Sequence, residues 1–188
     1  MFSPRVERAL RAALAAHEGQ VRKGLEPAPY VTHPIQIALL LARLGFDDVL
    51  VQAGLLHDVV EDCPGWTLSR IEDEFGADVA AIVGELTEDK SKSWEERKRW
   101  AVDHAPHMSA GALAVKAADK LHNLESLVRE LENATDRSAV WKKFKGGRER
   151  TLATSAALVE ALAPRVDERL GAALRAAMHE LARLGASD

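Results

Sequence analysis

The chain has 188 residues, enough for one domain with a sizeable core. Its formal net charge of -4 supplies no general attraction to nucleic acid or to an anionic membrane, and its 47% hydrophobic content is ordinary for a globular protein. The single cysteine, Cys63, cannot form an internal disulfide and fits a reducing, cytoplasmic setting. Met1 to Leu25 is amphipathic and carries Arg5, Glu7, Arg8 and Arg11, so it does not read as a secretion signal. The apolar runs are too short to span a bilayer. Richness in Ala, Leu, Arg and Glu favours helix over sheet, and the expected class is all-α.

A first helix is expected over Pro4 to Ala16, with Ser3 as N-cap, Pro4 at the first helical position and Val6, Leu10, Ala13, Leu14 and His17 along one face. Gly24, Pro27 and Pro29 make Gly19 to Thr32 a loop. A second helix starts near His33-Pro34 with Thr32 as its cap and stops at Gly45. A third runs from Asp48 to Asp62 and is stopped by Pro64-Gly65. Leu68 to Phe75 and Ala77 to Leu86 follow, separated by Gly76, and then a polar loop from Thr87 to Ser93. Ser93-Trp94-Glu95-Glu96 is a capping-box pattern that opens a sixth helix. A long apolar stripe from Ala110 to Leu131 makes a seventh. Asn133 to Arg137 reads as a linker, and Gly146-Gly147 breaks a basic segment. Arg148 to Leu162 and Asp167 to Leu184 complete the set on either side of Pro164. No repeat or domain boundary appears, so residues 1–188 are expected to form a single domain.

The most informative stretch is Leu55-Leu56-His57-Asp58-Val59-Val60-Glu61-Asp62, which follows the apolar run Val49 to Leu56. Burying so many ionisable groups is costly unless something pairs with them. Asp58 and Asp62, one turn apart, repel, and carboxylates near a helix C-terminus oppose its macrodipole. A divalent cation relieves all three conflicts, and such departures from local consistency mark functional sites. On a continuous helix, His57 and Asp58 stand about 100° apart and can share one ion off the flank, with Glu61 and Asp62 one turn further on. Two more ligands must come from elsewhere, and His33 and Asp119 are the candidates. Asp119 interrupts a second apolar stripe, where Lys116, Asp119 and Asn123 are spaced to share one face.

Taken in order, several segments resemble the HD superfamily of metal-dependent phosphohydrolases, and within it the hydrolase domain of the Rel/SpoT proteins and the small alarmone hydrolases. They are His17-Glu18-Gly19-Gln20-Val21-Arg22-Lys23, Pro29-Tyr30-Val31-Thr32-His33-Pro34, the His57-Asp58 to Glu61-Asp62 run, Phe75-Gly76, Thr87-Glu88-Asp89-Lys90, Glu96-Arg97-Lys98 and Lys116 to Asn123. The resemblance covers roughly residues 8–131 and implies a single HD-domain helical bundle. It implies removal of the 3′-pyrophosphate of (p)ppGpp with one divalent metal, taken as Mn²⁺. Position by position, His33, His57, Asp58 and Asp119 would be metal ligands, and Glu61 and Asp62 would position and activate the attacking water. Arg22 would stack on the guanine, while Lys23, Lys116 and Asn123 would bind substrate. Mixed imidazole and carboxylate donors suit Mn²⁺, as well as Fe²⁺ or Zn²⁺. A guanidinium can stack flat on a base, as Arg22 would, whereas a lysine cannot. The chain departs from the pattern at Thr154 and Ser155, where relatives often place an aromatic pair, and at Gly24, where some have serine.

Blander readings stand beside these. His17 is read as a packing and hydrogen-bonding residue, and Cys63 as inert. His104-Ala105-Pro106-His107 lacks acidic partners for a second metal site. Lys90, Lys92, Arg97 and Lys98 fit either a phosphate-gripping loop or a solvated face. The basic run from Lys142 to Arg150 is read as a solvated face, and Trp141 and Phe144 as core. The expected partner is a small guanosine nucleotide, with no membrane or nucleic acid and with room left for a homo-oligomer. The rival functions are an HD phosphohydrolase of another nucleotide, such as a 5′-nucleotidase or an NADPH phosphatase, and a non-enzymatic nucleotide sensor.

Overall fold

The computed structural model describes residues 2–22 and 27–186, so Lys23 and Gly24 lie outside the described residues. In chain order the elements are α1 (Pro4–Ala16), β1 (Val21–Arg22), β2 (Ala28–Pro29), α2 (Thr32–Leu44), α3 (Asp48–Leu56) and α4 (Val59–Asp62). Then come α5 (Leu68–Phe75), α6 (Ala77–Leu86), α7 (Trp94–His104), α8 (Ala110–Asn133), α9 (Arg137–Trp141), α10 (Gly147–Leu162) and α11 (Glu168–Ala186). The all-α expectation holds, with one departure. The segment read as a plain loop contains two antiparallel two-residue strands, Val21 opposite Pro29 and Arg22 opposite Ala28. The contacts group the chain into two compact units, residues 1–88 with 109–119, and residues 89–108 with 120–188.

The caps read from sequence at Ser3 and Ser93 are in place, one in each unit. Ser3 Oγ accepts the Val6 N–H at 3.3 Å, and Ser93 and Glu96 satisfy each other's backbone at 3.2 and 2.8 Å. Asp47 caps α3 through the Leu50 N–H at 3.0 Å. Gly45 ends α2 with φ at 90°, which a residue with a Cβ adopts only under strain. Thr32 is not the cap of α2. It is the first helical residue, and its hydroxyl donates to the Pro29 carbonyl at 2.8 Å.

In the first unit α3 is central and packs against α1, α2 and α6. Every residue from Val51 to Leu56 is buried. A Cβ at Gly54 would lie 2.8 Å from Leu41 Cδ1 and 3.3 Å from Ile37 Cγ2, so α2 and α3 approach this closely only because residue 54 is glycine. Ile37, Leu41, Leu56 and Ile71 are fully buried, each contributing about 1.5–3 kcal/mol of apolar burial. This packing fixes the start of α2, and hence His33, beside the end of α3, and hence His57.

In the second unit α10 packs on α7 and α11. Leu124, Leu131, Leu162, Leu170, Leu174 and Leu181 are buried there. The expected linker, Asn133 to Arg137, falls between α8 and α9, and the helix that follows it, Arg137–Trp141, was not expected. Five residues are too few to show a helical period. Asp136 was the available signal, since its carboxylate caps α9 through the Ser138 N–H at 2.9 Å.

Candidate metal centre

The helix expected over Asp48 to Asp62 is interrupted at His57-Asp58. His57 closes α3, and Asp58 sits at φ -118° and ψ 0°, in the sparsely allowed bridge region. The Asp58 carbonyl then accepts the Glu61 and Asp62 N–H groups at 3.1 and 2.9 Å and starts the single turn of α4. The acid cluster therefore does not line one continuous helix, which corrects the geometry inferred from spacing. The break turns Asp58 toward the segment between α1 and α2, and its charge finds partners there rather than along its own helix.

His33, His57 and Asp58 converge. Each brings one ligand atom into a set whose members all lie within 4.8 Å of one another. The His33 and His57 rings meet edge to face with centroids 5.3 Å apart. His57 Nδ1 lies 3.0 Å from the Gly54 carbonyl, which can only accept, so Nδ1 carries a proton and Nε2 is the nitrogen available to an ion. A ring fixed in this way through its other nitrogen is characteristic of a metal ligand. Asp119, on α8, reaches the cluster through His33: its Oδ1 is 3.1 Å from His33 Nε2. His33, His57 and Asp58 make a site able to hold a divalent metal ion, and Asp119 stands outside this three-member group as a hydrogen-bond partner of His33.

Asp58 is almost completely buried, and both carboxylate oxygens are engaged. Tyr30 Oη donates to Oδ2 at 2.6 Å, and His17 Nε2 donates to Oδ1 at 3.1 Å. His17 Nδ1 faces Gln20 Oε1 at 2.9 Å, and the Gln20 amide is oriented by its Nε2 donating to the Asp62 carbonyl at 3.1 Å. Both His17 nitrogens thus face acceptors, which calls for two protons on the ring. Burial lowers the His17 pKa, but the bonds to Asp58 and Gln20 outweigh it and raise the net value. Burial would raise the Asp58 carboxyl, yet the charge of His57 and the bonds from His17 and Tyr30 hold it below the usual range. Asp119 is held low in the same way, against burial, by the His33 hydrogen bond and by the charges of His33, His57 and Lys116. Burial, then the Asp58 charge, pushes the Tyr30 hydroxyl far up, so it stays protonated and donates.

The other candidates are placed as follows. Glu61 is half-buried and Asp62 exposed, both on α4. Arg22 is half-buried on β1, next to the undescribed Lys23. Lys116 lies on α8 with Nζ 3.8 Å from Glu88 Oε1, both side chains largely shielded. Asn123, on the second-unit part of α8, is exposed. His17 is the hydrogen-bonding residue it was read to be. Tyr30, Gln20 and Glu88 were not singled out. Tyr30 is the only tyrosine of the chain, stands three residues before His33 and lies in one of the segments that carry the resemblance, the signals that could have found it.

In the second unit two cations of the basic segment, Lys143 and Arg150, have partners within the chain. Arg150 bonds Glu95 at 2.6 Å and the Gly146 carbonyl at 3.2 Å, and Lys143 pairs with Glu130. Ser155 is buried and accepts from Lys120 Nζ at 2.8 Å, so this small residue serves local packing. Trp141 is buried, as a core residue should be. His104 stacks on Trp100 at 4.4 Å, and among the described residues no metal-capable group forms around His104 and His107.

The HD domain family matches residues 9–151 of the chain. Over 119 residues the chain is 49% identical to the guanosine-3′,5′-bis(diphosphate) 3′-pyrophosphohydrolase MESH1 of Homo sapiens, an alignment covering 62% of this chain and 66% of that protein. The chain therefore spans slightly less than two thirds of that relative. A solved structure of a metazoan ortholog of SpoT, described as hydrolysing ppGpp and acting in starvation responses, superposes with a TM-score of 0.82 at 31% identity, over 96% of this chain and 97% of that one. A solved protein from Listeria monocytogenes superposes with a TM-score of 0.67 at 33% identity, over 81% of this chain and 96% of that one.

Proposed function

The chain belongs to the HD domain family, and from that premise we propose that it is a metal-dependent hydrolase that removes the 3′-pyrophosphate of (p)ppGpp. Water attacks the phosphorus bonded to the 3′ oxygen, the O–P bond breaks, and the products are pyrophosphate and GDP or GTP. The observation that carries this reading is the convergence of His33, His57 and Asp58 within 4.8 Å on a break between two helices. The named activity of the relatives agrees with it.

In this reading His33, His57, Asp58 and Asp119 hold one divalent ion, taken as Mn²⁺. When bound, the ion acidifies water and offsets charge on the phosphoryl oxygens. Glu61 and Asp62, on the turn of α4 that Asp58 starts, take the proton from the attacking water. Arg22 stacks on the guanine, and Lys116, Lys23 and Asn123 bind the substrate's polar groups. Lys116 arrives already paired with Glu88, both side chains largely shielded from solvent. The whole chain acts on a small guanosine nucleotide as a single HD domain in the cytoplasm. Among the described residues no helix is long and apolar enough to cross a membrane.

The test is a nucleotide panel with added Mn²⁺, products separated by ion-exchange chromatography. Release of pyrophosphate from ppGpp supports the proposal. Inert ppGpp, beside rapid phosphate release from NADPH or a nucleoside monophosphate, overturns the substrate. Tight nucleotide binding with no turnover in any metal makes the protein a sensor instead.

A further inference from the structure

Three polar side chains from the segment linking α1 to α2 meet beneath Asp58 and the turn of α4. The reaction as proposed uses none of them. Tyr30 and His17 each donate to a different oxygen of Asp58, at 2.6 and 3.1 Å. The carboxylate cannot rotate without breaking one of these bonds, and each oxygen keeps a further lone pair for an ion. Gln20 continues the frame. Its Oε1 accepts from His17 Nδ1 at 2.9 Å, and its Nε2 donates to the Asp62 carbonyl at 3.1 Å. Backbone bonds hold Gln20 in turn, from its own N–H to the His17 carbonyl at 3.0 Å and from the Tyr30 N–H to its carbonyl at 2.9 Å.

The turn that receives this bond needs it. The break at His57-Asp58 leaves α4 only four residues long. A single helical turn has little stability of its own, so contacts from outside set its position. Gln20 supplies one at the Asp62 carbonyl and approaches the neighbouring buried Cys63 at 3.7 Å.

We infer that Tyr30, His17 and Gln20 are positioning residues: Tyr30 and His17 fix the orientation of Asp58 as a ligand, and Gln20 ties that ligand to the turn bearing Glu61 and Asp62. This rests on the proposed roles of Asp58, Glu61 and Asp62. The frame divides its effects. Tyr30 acts on the ligand and therefore on metal affinity. Gln20 acts on the turn and therefore on the chemical step. Neither is among the residues proposed to hold the nucleotide, so KM for substrate should be left alone.

Tyr30→Phe and Gln20→Met test the division, since each keeps most of the side-chain volume while removing the polar groups. Mn²⁺ binding is measured by calorimetry on metal-free protein, and ppGpp turnover at saturating Mn²⁺, with far-UV circular dichroism reporting the fold. Tyr30→Phe should weaken Mn²⁺ binding by about 10–100-fold, the usual loss when a metal ligand loses its orienting partner. Gln20→Met should lower kcat by about 10–100-fold with KM unchanged. Folded Tyr30→Phe that binds Mn²⁺ like the wild type, or Gln20→Met with wild-type kcat, overturns the inference. If the wild type neither binds Mn²⁺ nor cleaves ppGpp, the functional proposal falls and the inference falls with it. An active wild type with unaffected variants removes the inference alone.

Discussion

Replacing Asp58 by asparagine keeps the volume of the side chain and removes its charge, which makes it the sharpest probe of the buried frame. The His17 and Asp58 side chains are 0% and 6% exposed, so solvent does little to weaken their interaction. In Asp58→Asn one oxygen still accepts from His17, and the new amide can donate to a reoriented Tyr30 hydroxyl. What is lost is the anion facing a protonated imidazole. Breaking a buried pair by removing one partner typically costs 3–5 kcal/mol, and the retained hydrogen bonds place this change at the lower end, about 3 kcal/mol. With a urea m-value of about 2 kcal/mol/M, the unfolding midpoint should fall by about 1.5 M. The measurement is urea unfolding in excess chelator, followed by circular dichroism, so that no bound metal contributes. A loss below about 1 kcal/mol would refute the reasoning, because it would mean that His17 carries no charge there or that Asp58 is not its partner.

Other outcomes follow from the same geometry. Glu61→Gln keeps shape and removes the proton acceptor, so kcat should fall by about 10²–10⁴-fold while Mn²⁺ binding is retained; wild-type turnover would make Glu61 a bystander. Arg22→Ala should raise KM for ppGpp, and Arg22→Lys should restore little of it despite equal charge, because a lysine cannot stack flat on a base; full rescue by lysine would show that only charge matters. Asp136 has a lowered pKa, chiefly through its hydrogen bond with Ser138. Its cap on α9 therefore contributes above the ordinary aspartate value of about 3.9 and is lost as the pH falls through the lower, folded value. The Ser138 amide resonance should titrate with a midpoint below that ordinary value, and a midpoint at or above it would count against the cap.

Local signals in the sequence carried the helices well. Ser3, Ser93 with Glu96, Gly45 and Gly76 each act within four residues, and the elements they bound appear where those residues place them. His57 and Asp58 were also legible, because they stood out against an apolar run, and His33, a candidate at the start of the second helix, converges with them. The break at Asp58 was not. It depends on partners far away in the chain, His17 at 41 residues and Tyr30 at 28, and no spacing rule reaches that far. A helix through Asp62 was the better local answer, and tertiary hydrogen bonds overrode it. The β1–β2 pair was hidden for another reason: two residues show no alternation, and Pro29 argues against a strand. Glu88 sat in a polar loop, and only the fold brings it within reach of Lys116.

The central claim is that one metal, held at His33, His57, Asp58 and Asp119, makes the chain a (p)ppGpp 3′-pyrophosphohydrolase. It is tested most directly by titrating Mn²⁺ into metal-free protein at a concentration far above the dissociation constant, while measuring both the pyrophosphate and the GDP released from ppGpp. The account predicts that the two products appear in equal amounts, with a rate that climbs linearly and levels off at one Mn²⁺ per chain. A plateau at two equivalents, a rate indifferent to metal, or orthophosphate in place of pyrophosphate would contradict it.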